Sequence, residues 1–327
     1  MGHKIAFTIC SNNYLPQANT LKASFLNHND GFEFWIILVD KKSPEIDYSL
    51  FEPAKLILAS EIPLYDLEGL LNRYNIIELN TSIKPSVFKY IISQNENVES
   101  VYYLDPDLYF YSALSIADDL LMSGKSVVLT PHILDPISRD DFFPDENTFL
   151  NFGIYNLGFL GLNAKHASAL QILDWWEERT LNHGQIDLCR GYFVDQLWMN
   201  LVPILFKDAE VLKHYGYNMA PWNLHERKVT HIDGDKVQIN GTEDLVFYHF
   251  SKLSDDDTKV SKVYNRYLLS DLKHLSTLYK NYKLLMITNN YEDYKAIKIA
   301  YEIKPVKPKM EKPSLFKKIK RKLKKVL

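Results

Sequence analysis

The first forty residues alternate between continuous apolar runs and a segment of helical spacing. Residues 4–10, KIAFTIC, and 32–40, FEFWIILVD, are almost unbroken apolar runs, which is typical of strands buried on both faces. Between them, residues 15–29 place apolar side chains at helical spacing, namely Leu15, Ala18, Leu21, Phe25 and Leu26. A strand, a helix and a strand of these lengths predict a βαβ unit and therefore a parallel sheet.

The same alternation continues along the chain and predicts an open α/β sheet. Strands are predicted over 101–105, 126–133, 152–163 and 244–250. Helices are predicted over 84–95, 164–180 and 191–203, the last one stopped by Pro203, and residues 260–285 have a helical pattern. Two glycines inside 152–163 indicate either a bulge or a close approach of the backbone to a ligand.

Polar residues follow several of these apolar strands. They are Asp40, Asp105, Asp107, His249 and the Ser-Asn-Asn turn at 11–13. In open α/β sheets, ligands collect at the carboxyl ends of the strands. The sequence therefore predicts a binding site built from these strand ends.

The stretch YYLDPDLYFY, residues 102–111, carries two carboxylates one residue apart at the end of a buried strand. Alternate residues of a strand or tight turn can point to the same side, and Pro106 stiffens the turn. Two neighbouring carboxylates repel each other unless a cation lies between them, and oxygen ligands suit Mg²⁺ or Mn²⁺. The alternative interpretation is a solvated Asp-Pro-Asp turn.

Composition places few limits on this interpretation. The chain has 327 residues, of which 46% are hydrophobic and 24% are charged, as in an ordinary globular protein. Its first residues are too short and too soon polar for a signal peptide, and no apolar run reaches the roughly 18 residues of a membrane span. The two cysteines do not form a disulfide framework. We therefore expect a soluble or peripheral protein made in the cytoplasm.

Charge is distributed unevenly. The segment from Lys304 to the end holds 11 of the 38 Lys and Arg residues but only one of the 41 acidic residues, a net charge of +10 against −13 for the rest. Such a chain is not a general nucleic-acid binder, because its body is acidic. Residues 304–313 predict a Pro/Lys linker, and 314–327 predict an amphipathic basic helix that lies on an anionic membrane. A disordered solubilising tail and adventitious RNA binding are the alternatives.

Several segments, in the order in which they occur, resemble the GT-A glycosyltransferases related to glycogenin and to bacterial lipopolysaccharide galactosyltransferases. The resemblance covers roughly residues 3–252. Its segments are IAFTICSNNYLPQANTLKASFLNHN, SIKPSVFKYI, YYLDPDLYFY, YNLGFLGLN, VDQLWMNLVP, YNMAPWNL and FYHFSKL. It implies a mixed, mainly parallel central sheet flanked by helices. The domains would be a catalytic domain over 1–255, a helical extension over 256–303, and the basic tail over 304–327.

The resemblance also implies roles for individual residues. Asp105, Asp107 and His249 would hold the metal, and a mixed oxygen and imidazole set favours Mn²⁺ over Mg²⁺. A nucleotide sugar would be held by two further groups. Its nucleotide and phosphates would contact Thr8, Asn12, Asn13, Tyr14, Lys84, Asp105 and Lys252, and its sugar and reacting carbon would face Asn156, Asp195 and Gln196. The Phe-Ser-Lys-Leu sequence at 250–253 departs from the family's glycine- and Lys-Pro-Trp-bearing loop, which puts the role of Lys252 in doubt.

Each of these residues also has a structural interpretation. His249 could be a hydrogen-bonded core histidine, and Lys84 a solvated residue at a helix start. Tyr14 could pack at a helix start, while Asn156 could satisfy backbone at a bulge and Asp195 could cap a helix. Among the tryptophans, Trp175 and Trp176 fit core packing, whereas Trp222 could equally hold the face of an acceptor sugar.

The resemblance implies a metal-dependent glycosyltransferase that uses a nucleotide sugar, in particular a UDP-sugar, and retains the anomeric configuration. Its acceptor would be a glycan or a lipid-linked saccharide of bacterial surface polysaccharide or lipopolysaccharide synthesis, at the inner face of the plasma membrane. One alternative is a nucleotidyltransferase, although the N-terminal TICSNNYLP lacks the glycine and basic residues of a phosphate-activating loop. Another is a catalytically inactive glycan- or membrane-binding protein.

Overall fold

A computed structural model of the chain describes residues 2–63 and 65–301. The strands are β1 (His3–Cys10), β2 (Phe32–Leu38), β3 (Lys55–Leu58), β4 (Val98–Leu104), β5 (Leu108–Phe110), β6 (Val127–Pro131), β7 (Tyr155–Asn163), β8 (Ala209–Val211), β9 (Val229–Asp233), β10 (Lys236–Ile239), β11 (Glu243–Asp244) and β12 (Phe247–His249). The helices are α1 (Leu15–His28), α2 (Leu67–Leu71), α3 (Ile76–Ser82), α4 (Lys84–Gln94), α5 (Ser115–Met122), α6 (Glu146–Phe152), α7 (Ala167–His183), α8 (Val202–Leu205), α9 (Lys273–Thr288) and α10 (Tyr291–Lys295).

Seven strands form the central sheet in the order β3-β2-β1-β4-β7-β6-β8. The pairs β3/β2, β2/β1, β1/β4 and β6/β8 are parallel, whereas β7 runs antiparallel to both of its neighbours. The predicted α/β class, with a mixed and mainly parallel sheet, is confirmed. Because β7 is reversed, its first residues lie at the same edge as the carboxyl ends of β1 and β4.

The sheet is covered on both faces, as its apolar strands predict. One core cluster packs α3, α4 and α7 against one face of the sheet, around Phe7, Phe88 and Trp176. A second cluster packs α1 and α5 against the other face, around Phe25, Tyr102 and Phe159. Burial on both faces explains why β1 and β2 read as continuous apolar runs.

Two small sheets lie outside the central one. β5 pairs with β12 in an antiparallel ribbon in which His249 lies opposite Leu108. The strands β9, β10 and β11 form a separate antiparallel sheet. None of these short strands except β12 was predicted, because segments of two to five residues carry too few apolar positions for a period to be read.

The helix predicted over 191–203 is wrong. Residues 197–201 form a 3-10 turn and α8 covers only Val202–Leu205, with Pro203 in its first turn rather than at a helix end. Val194 has a φ of +42° in the same segment, so the backbone cannot continue a right-handed helix there. Other boundaries also moved. α9 begins at Lys273 rather than near residue 260, α7 covers Ala167–His183 rather than 164–180, and β12 covers only Phe247–His249 of the strand predicted over 244–250. α6 occupies the first residue of the strand predicted from 152.

The C-terminal helices pack against the strand that carries His249. The ring of Phe250 is stacked on Tyr282 of α9 with centroids 3.8 Å apart, and the Tyr248 hydroxyl is 2.9 Å from that of Tyr279. Farther on, the backbone N–H of Ala300 donates to Asp40 at the end of β2, at 2.8 Å. The predicted domain boundary at 255 stays a prediction.

The predicted linker over 304–313 and the predicted membrane helix over 314–327 lie outside the described residues. Within residues 2–63 and 65–301, no helix combines the length and the apolar character needed to cross a bilayer.

Candidate metal and donor site

The two aspartates occupy the turn between β4 and β5. The backbone N–H of Asp105 donates to Gly158 of β7 at 2.7 Å, and the N–H of Leu108 donates back to the Asp105 carbonyl at 3.1 Å. The first bond fixes the turn against β7, and the second closes the turn itself. The backbone pairing of β12 with β5 holds His249 beside the turn. This position therefore does not depend on the contacts of the His249 side chain.

Asp105, Asp107 and His249 form a compact group of possible metal ligands. His249 Nε2 lies 3.0 Å from Asp107 Oδ1 and 3.7 Å from Asp105 Oδ2. One ligand atom of each residue lies within 4.8 Å of the others. Two carboxylates and an imidazole are a suitable donor set for Mn²⁺ and related divalent ions. The residues present therefore fit the metal that the sequence predicts.

Gly158 leaves room for this group. A Cβ placed on Gly158 would lie 2.7 Å from His249 Cε1 and 2.8 Å from Asp105 Oδ2, closer than ordinary carbon contacts. Of the two interpretations of the strand glycines, close approach to a site is the one that the structure supports at Gly158. At Gly161 a Cβ would instead meet the ring of Tyr102, at 2.7 Å, which is a packing role.

The acidic turn and the histidine adjust each other's protonation. Burial favours the neutral form of Asp107, but the imidazolium of His249 and its hydrogen bond hold the pKa of Asp107 below its usual value. Burial also disfavours the imidazolium, yet Asp107 and Asp105 raise the pKa of His249 above its usual value. The three side chains thus behave as one electrostatic unit.

A buried ion pair adjoins the metal group. Lys84 Nζ, at the start of α4, lies 2.9 Å from Asp195 Oδ2 and 4.0 Å from Asp105 Oδ1. It also donates to the carbonyl of Leu157 at 3.0 Å. Both Lys84 and Asp195 are buried, and burial raises the pKa of Asp195 although Lys84 opposes the shift. Lys84 is therefore not the solvated helix-start residue of the alternative interpretation.

Asn156 and Gln196 lie on either side of the first residues of β7. Asn156 Oδ1 accepts the Gly158 N–H at 3.2 Å, beside the metal group. Gln196 donates to the carbonyl of Phe152 at 2.8 Å and accepts the N–H of Leu157 at 3.3 Å. The amide of Gln196 thus holds the backbone at the start of β7, whereas Asn156 reaches the site.

The predicted nucleotide turn follows β1, but only part of it is accessible. Thr8 is 0% exposed within β1, so a ligand cannot reach its side chain. The Asn12 amide donates to the Lys41 carbonyl at 2.8 Å and accepts from the Tyr48 hydroxyl at 2.8 Å, while the Asn13 amide oxygen accepts from Ser11 at 2.7 Å. Tyr14 is 43% exposed and remains available to stack on a base.

Three other residues singled out in the sequence have clear positions. Lys252 is exposed in the loop after β12, with a φ of +53°, and its charge contributes to lowering the pKa of Asp107. Trp222 is buried, with its ring edge-on to His249 and its indole N–H donating to the His132 carbonyl at 3.1 Å, so it supports the site rather than offering a face to an acceptor. Trp176 is a core residue that donates to the Asp195 carbonyl at 3.1 Å.

Sequence reasoning missed two residues that contact the site. The Tyr103 hydroxyl donates to Asp105 Oδ1 at 2.6 Å, and the two residues lie two positions apart on one strand face, a spacing that could have revealed the contact. His132 lies at the end of β6, in contact with Asn156. Its position at the end of an apolar strand is a signal that could have included it, but its contacts come from β7 and from the loop that carries Trp222.

Comparison with known proteins gives a fold and distant relatives. No protein-family model matches the chain. Two proteins of Bacillus subtilis (strain 168), YfnD and YfnF, are both described only as uncharacterized; each is 26% identical to the chain, over 283 and 250 residues. The matches cover 85% and 75% of this chain and 86% and 80% of the relatives.

Among solved structures, the chain is similar to the galactosyltransferase LgtC crystallised with donor and acceptor sugar analogs. The TM-score is 0.50 at 14% identity, and the match covers 87% of this chain and 95% of LgtC. A likeness at this identity speaks for the fold alone. With the sheet topology and the Asp-Pro-Asp turn in place, the chain has the GT-A glycosyltransferase fold.

Proposed function

We propose that this protein is a metal-dependent glycosyltransferase that takes a sugar from a nucleotide-sugar donor. The observation that carries the proposal is the convergence of Asp105, Asp107 and His249 on one point, beside the buried Lys84–Asp195 pair. A carboxylate pair with an imidazole can hold a divalent ion. The proposal is supported by the position of the two aspartates just after β4, since α/β sheets bind ligands at the carboxyl ends of their strands.

The chemistry requires that negative charge on a departing nucleoside diphosphate be stabilised. Asp105, Asp107 and His249 would hold a divalent ion, which when bound supplies that stabilisation as a fixed cation. The turn is restrained by β7 and β12, so its carboxylates need little reorganisation. Lys84, 4.0 Å from Asp105, adds a second fixed positive charge to the same region and keeps Asp195 paired.

The donor sugar would lie beside the metal group and Asn156, with Asp195 near the same end of the site and Gln196 holding the backbone that carries Asn156. Sugar hydroxyls need both donors and acceptors, and an amide offers both. Tyr14 and the backbone of the turn after β1 would take the base and ribose, and Lys252 would take a phosphate. We propose UDP as the nucleotide, Mn²⁺ as the ion and retention of configuration because of the resemblance to the lipopolysaccharide galactosyltransferase family.

The acceptor is proposed to be a glycan or lipid-linked saccharide of bacterial surface polysaccharide or lipopolysaccharide synthesis. This part of the proposal is supported by the basic apolar pattern of 314–327, which suits attachment to the inner face of the plasma membrane. A membrane-attached enzyme would meet a lipid-linked acceptor at the surface where it is made.

The first test measures donor hydrolysis. Purified protein is incubated with UDP-glucose, UDP-galactose and UDP-N-acetylglucosamine, with Mn²⁺ or with EDTA, and released UDP is measured. We expect slow hydrolysis of one donor that needs Mn²⁺ and falls at least about a hundredfold in Asp107→Asn, the scale of losing a major transition-state stabiliser. Asp174→Asn is the matched control, because Asp174 is an exposed carboxylate whose partner is Lys89 rather than a site residue.

The alternatives predict different results. No hydrolysis together with no Mn²⁺-dependent binding of UDP would reject the transferase and favour an inactive glycan- or membrane-binding protein. Release of pyrophosphate from UTP and a sugar 1-phosphate would instead identify a nucleotidyltransferase.

A further inference from the structure

We propose that His132 is a positioning residue that fixes the amide of Asn156 in one orientation, so that this amide presents an N–H to the donor sugar. The inference rests on the proposed function and adds to it a residue that the resemblance does not assign. It begins from the contacts of His132, a residue that is 7% exposed at the end of β6.

The contacts of the ring determine its tautomer. His132 Nδ1 lies 3.2 Å from the carbonyl oxygen of Ile154, which can only accept a hydrogen bond, so Nδ1 carries the proton. In a neutral imidazole the other nitrogen is then an acceptor. Burial lowers the pKa of His132 to about 4, which keeps the ring neutral near pH 7.

The amide of Asn156 follows from this tautomer. Asn156 Nδ2 lies 3.3 Å from His132 Nε2, so the amide nitrogen donates and the imidazole accepts. Independently, Asn156 Oδ1 accepts the N–H of Gly158 at 3.2 Å. Both contacts require the same orientation. In a flipped amide, the NH₂ group would face the N–H of Gly158, and the oxygen would face the unprotonated Nε2 of His132.

This orientation leaves one donor for a ligand. Among the described residues, the second N–H of Asn156 has no partner, although the side chain is only 8% exposed. The same side chain borders the metal group, because the Cβ position of Gly158 is 2.9 Å from Asn156 Oδ1 and 2.8 Å from Asp105 Oδ2. A hydroxyl of the donor sugar is the acceptor whose chemistry fits this donor.

The ring of His132 is itself held in place. It is stacked on Phe149 with centroids 5.0 Å apart and lies edge-on to Trp222 at 5.4 Å. Its backbone carbonyl accepts from the indole of Trp222 at 3.1 Å and from the Asn223 amide at 2.9 Å. Because Phe149, Trp222 and the Ile154 carbonyl hold the ring in place, the ring determines the orientation of the Asn156 amide.

The test separates binding of the sugar from binding of the nucleotide. Affinity is measured by calorimetry in Mn²⁺ for UDP alone and for whichever of UDP-glucose, UDP-galactose and UDP-N-acetylglucosamine the wild type hydrolyses fastest. In His132→Phe we expect UDP affinity to change by less than about twofold and affinity for the UDP-sugar to fall about tenfold, as for one lost hydrogen bond. His132→Gln keeps an acceptor on a side chain of similar reach and should restore most of the affinity.

Coupling to Asn156 is the decisive readout. Asn156→Ala should cost about as much as His132→Phe, and the double variant should lose no more than Asn156→Ala alone. Additive losses, an equal loss of UDP and UDP-sugar affinity, or no loss at all would overturn the proposal.

A measurement on the wild type guards against a variant that fails to fold. Selective ¹⁵N-histidine NMR should show His132 as the neutral Nδ1–H tautomer, and the Nε2–H tautomer or an imidazolium at pH 7 would overturn the proposal. Failure of the proposed function is distinguishable, because wild-type protein would then bind neither UDP nor UDP-sugars with Mn²⁺. That result would remove the basis of this inference as well.

Discussion

At the scale of single residues, the site is a set of buried and partly exposed charges that depend on one another. Lys84 faces Asp195 at 2.9 Å and lies 4.0 Å from Asp105, and His249 faces both Asp105 and Asp107. Removing Lys84 would leave the Asp195 carboxylate buried without a compensating charge, which is costly. The charges that serve the chemistry therefore also affect stability.

Replacement of Lys84 tests this dependence. We expect Lys84→Met to lower the free energy of unfolding by about 3 kcal/mol or more, because the Asp195 carboxylate is left buried and unpaired. Asp195→Asn in the same chain should recover part of the loss. Urea denaturation measures both effects.

The same helix provides the control. Lys89 of α4 pairs with Asp174 and Glu177 at 2.8 and 2.6 Å on a partly exposed surface. Lys89→Met should cost less than about 1 kcal/mol, the range of surface ion pairs. Equal costs at the two lysines would show that burial of the Lys84 pair has no energetic importance.

Gly158 gives a second prediction, about space rather than charge. In Gly158→Ala the new methyl would meet His249 Cε1 and Asp105 Oδ2 at less than 3 Å. We expect Mn²⁺ affinity, measured by electron paramagnetic resonance, to fall at least about tenfold, equivalent to about 1.4 kcal/mol. The control is Gly161→Ala on the same strand. Its methyl would clash with the Tyr102 ring and lower stability, but Mn²⁺ affinity should be unchanged. Equal losses of Mn²⁺ affinity in the two variants would contradict the role assigned to Gly158.

At the scale of elements, the ribbon of β5 and β12 links the metal turn to the C-terminal helices. β5 follows Asp107, and β12 carries His249. The residues on either side of His249, Tyr248 and Phe250, pack on α9. The end of α9 is joined to α1, since Asn19 donates to Asn289 at 2.8 Å and Asn289 donates to Thr20 at 3.0 Å. The helical extension thus supports the element that positions His249, a candidate metal ligand.

Truncation tests this support. A chain ending at residue 255 would expose Tyr248 and Phe250, which are buried against Tyr279 and Tyr282, and we expect it to aggregate or to lose its cooperative thermal transition. A chain ending at residue 301 keeps every described contact and should melt as the full chain does. A stable, Mn²⁺-binding chain of 255 residues would show that the predicted catalytic domain folds independently of its extension.

At the scale of the whole molecule, charge divides the chain into an acidic body and a basic end. Residues 304–327 have a net charge of +10. They begin four positions after Ala300, whose backbone N–H donates to Asp40. Asp40 also accepts the N–H of Asn12 at 3.3 Å, in the turn that we propose contacts the nucleotide. Ala300, near the end of the described residues, therefore lies next to the turn that we propose contacts the nucleotide.

Vesicle binding tests the role of the tail. The full chain should sediment with vesicles containing phosphatidylglycerol, because each basic residue near an anionic surface contributes about 1 kcal/mol. Binding should weaken in 0.5 M salt, be absent with phosphatidylcholine alone, and be lost in the chain ending at residue 301. Equal binding of the full and truncated chains would remove the tail from the membrane proposal.

Local pattern was sufficient for much of the fold. The apolar runs of β1 and β2, the helical spacing of α1 and the helix start at Lys84–Pro85 all depend on neighbours within a few positions, so the sequence predicted them closely. The Asp-Pro-Asp turn could be identified for the same reason, since a strand, a proline and two carboxylates are adjacent in the chain. The break of the 191–203 segment could not be predicted, because its apolar periodicity is compatible with a helix and the positive φ of Val194 depends on the surrounding packing.

The contacts between distant residues required the folded chain. The sequence placed His249 with the aspartates at strand ends in general terms and as a metal ligand only through resemblance, whereas the pairing of β12 with β5 brings it beside Asp107. The Lys84–Asp195 pair and the contact between His132 and Asn156 join elements whose spacing along the chain carries no periodic signal. The reversed direction of β7 decides which end of that strand meets the site. Hydrophobic periodicity reports which face of an element is buried, but strand order and direction determine which side chains meet across it.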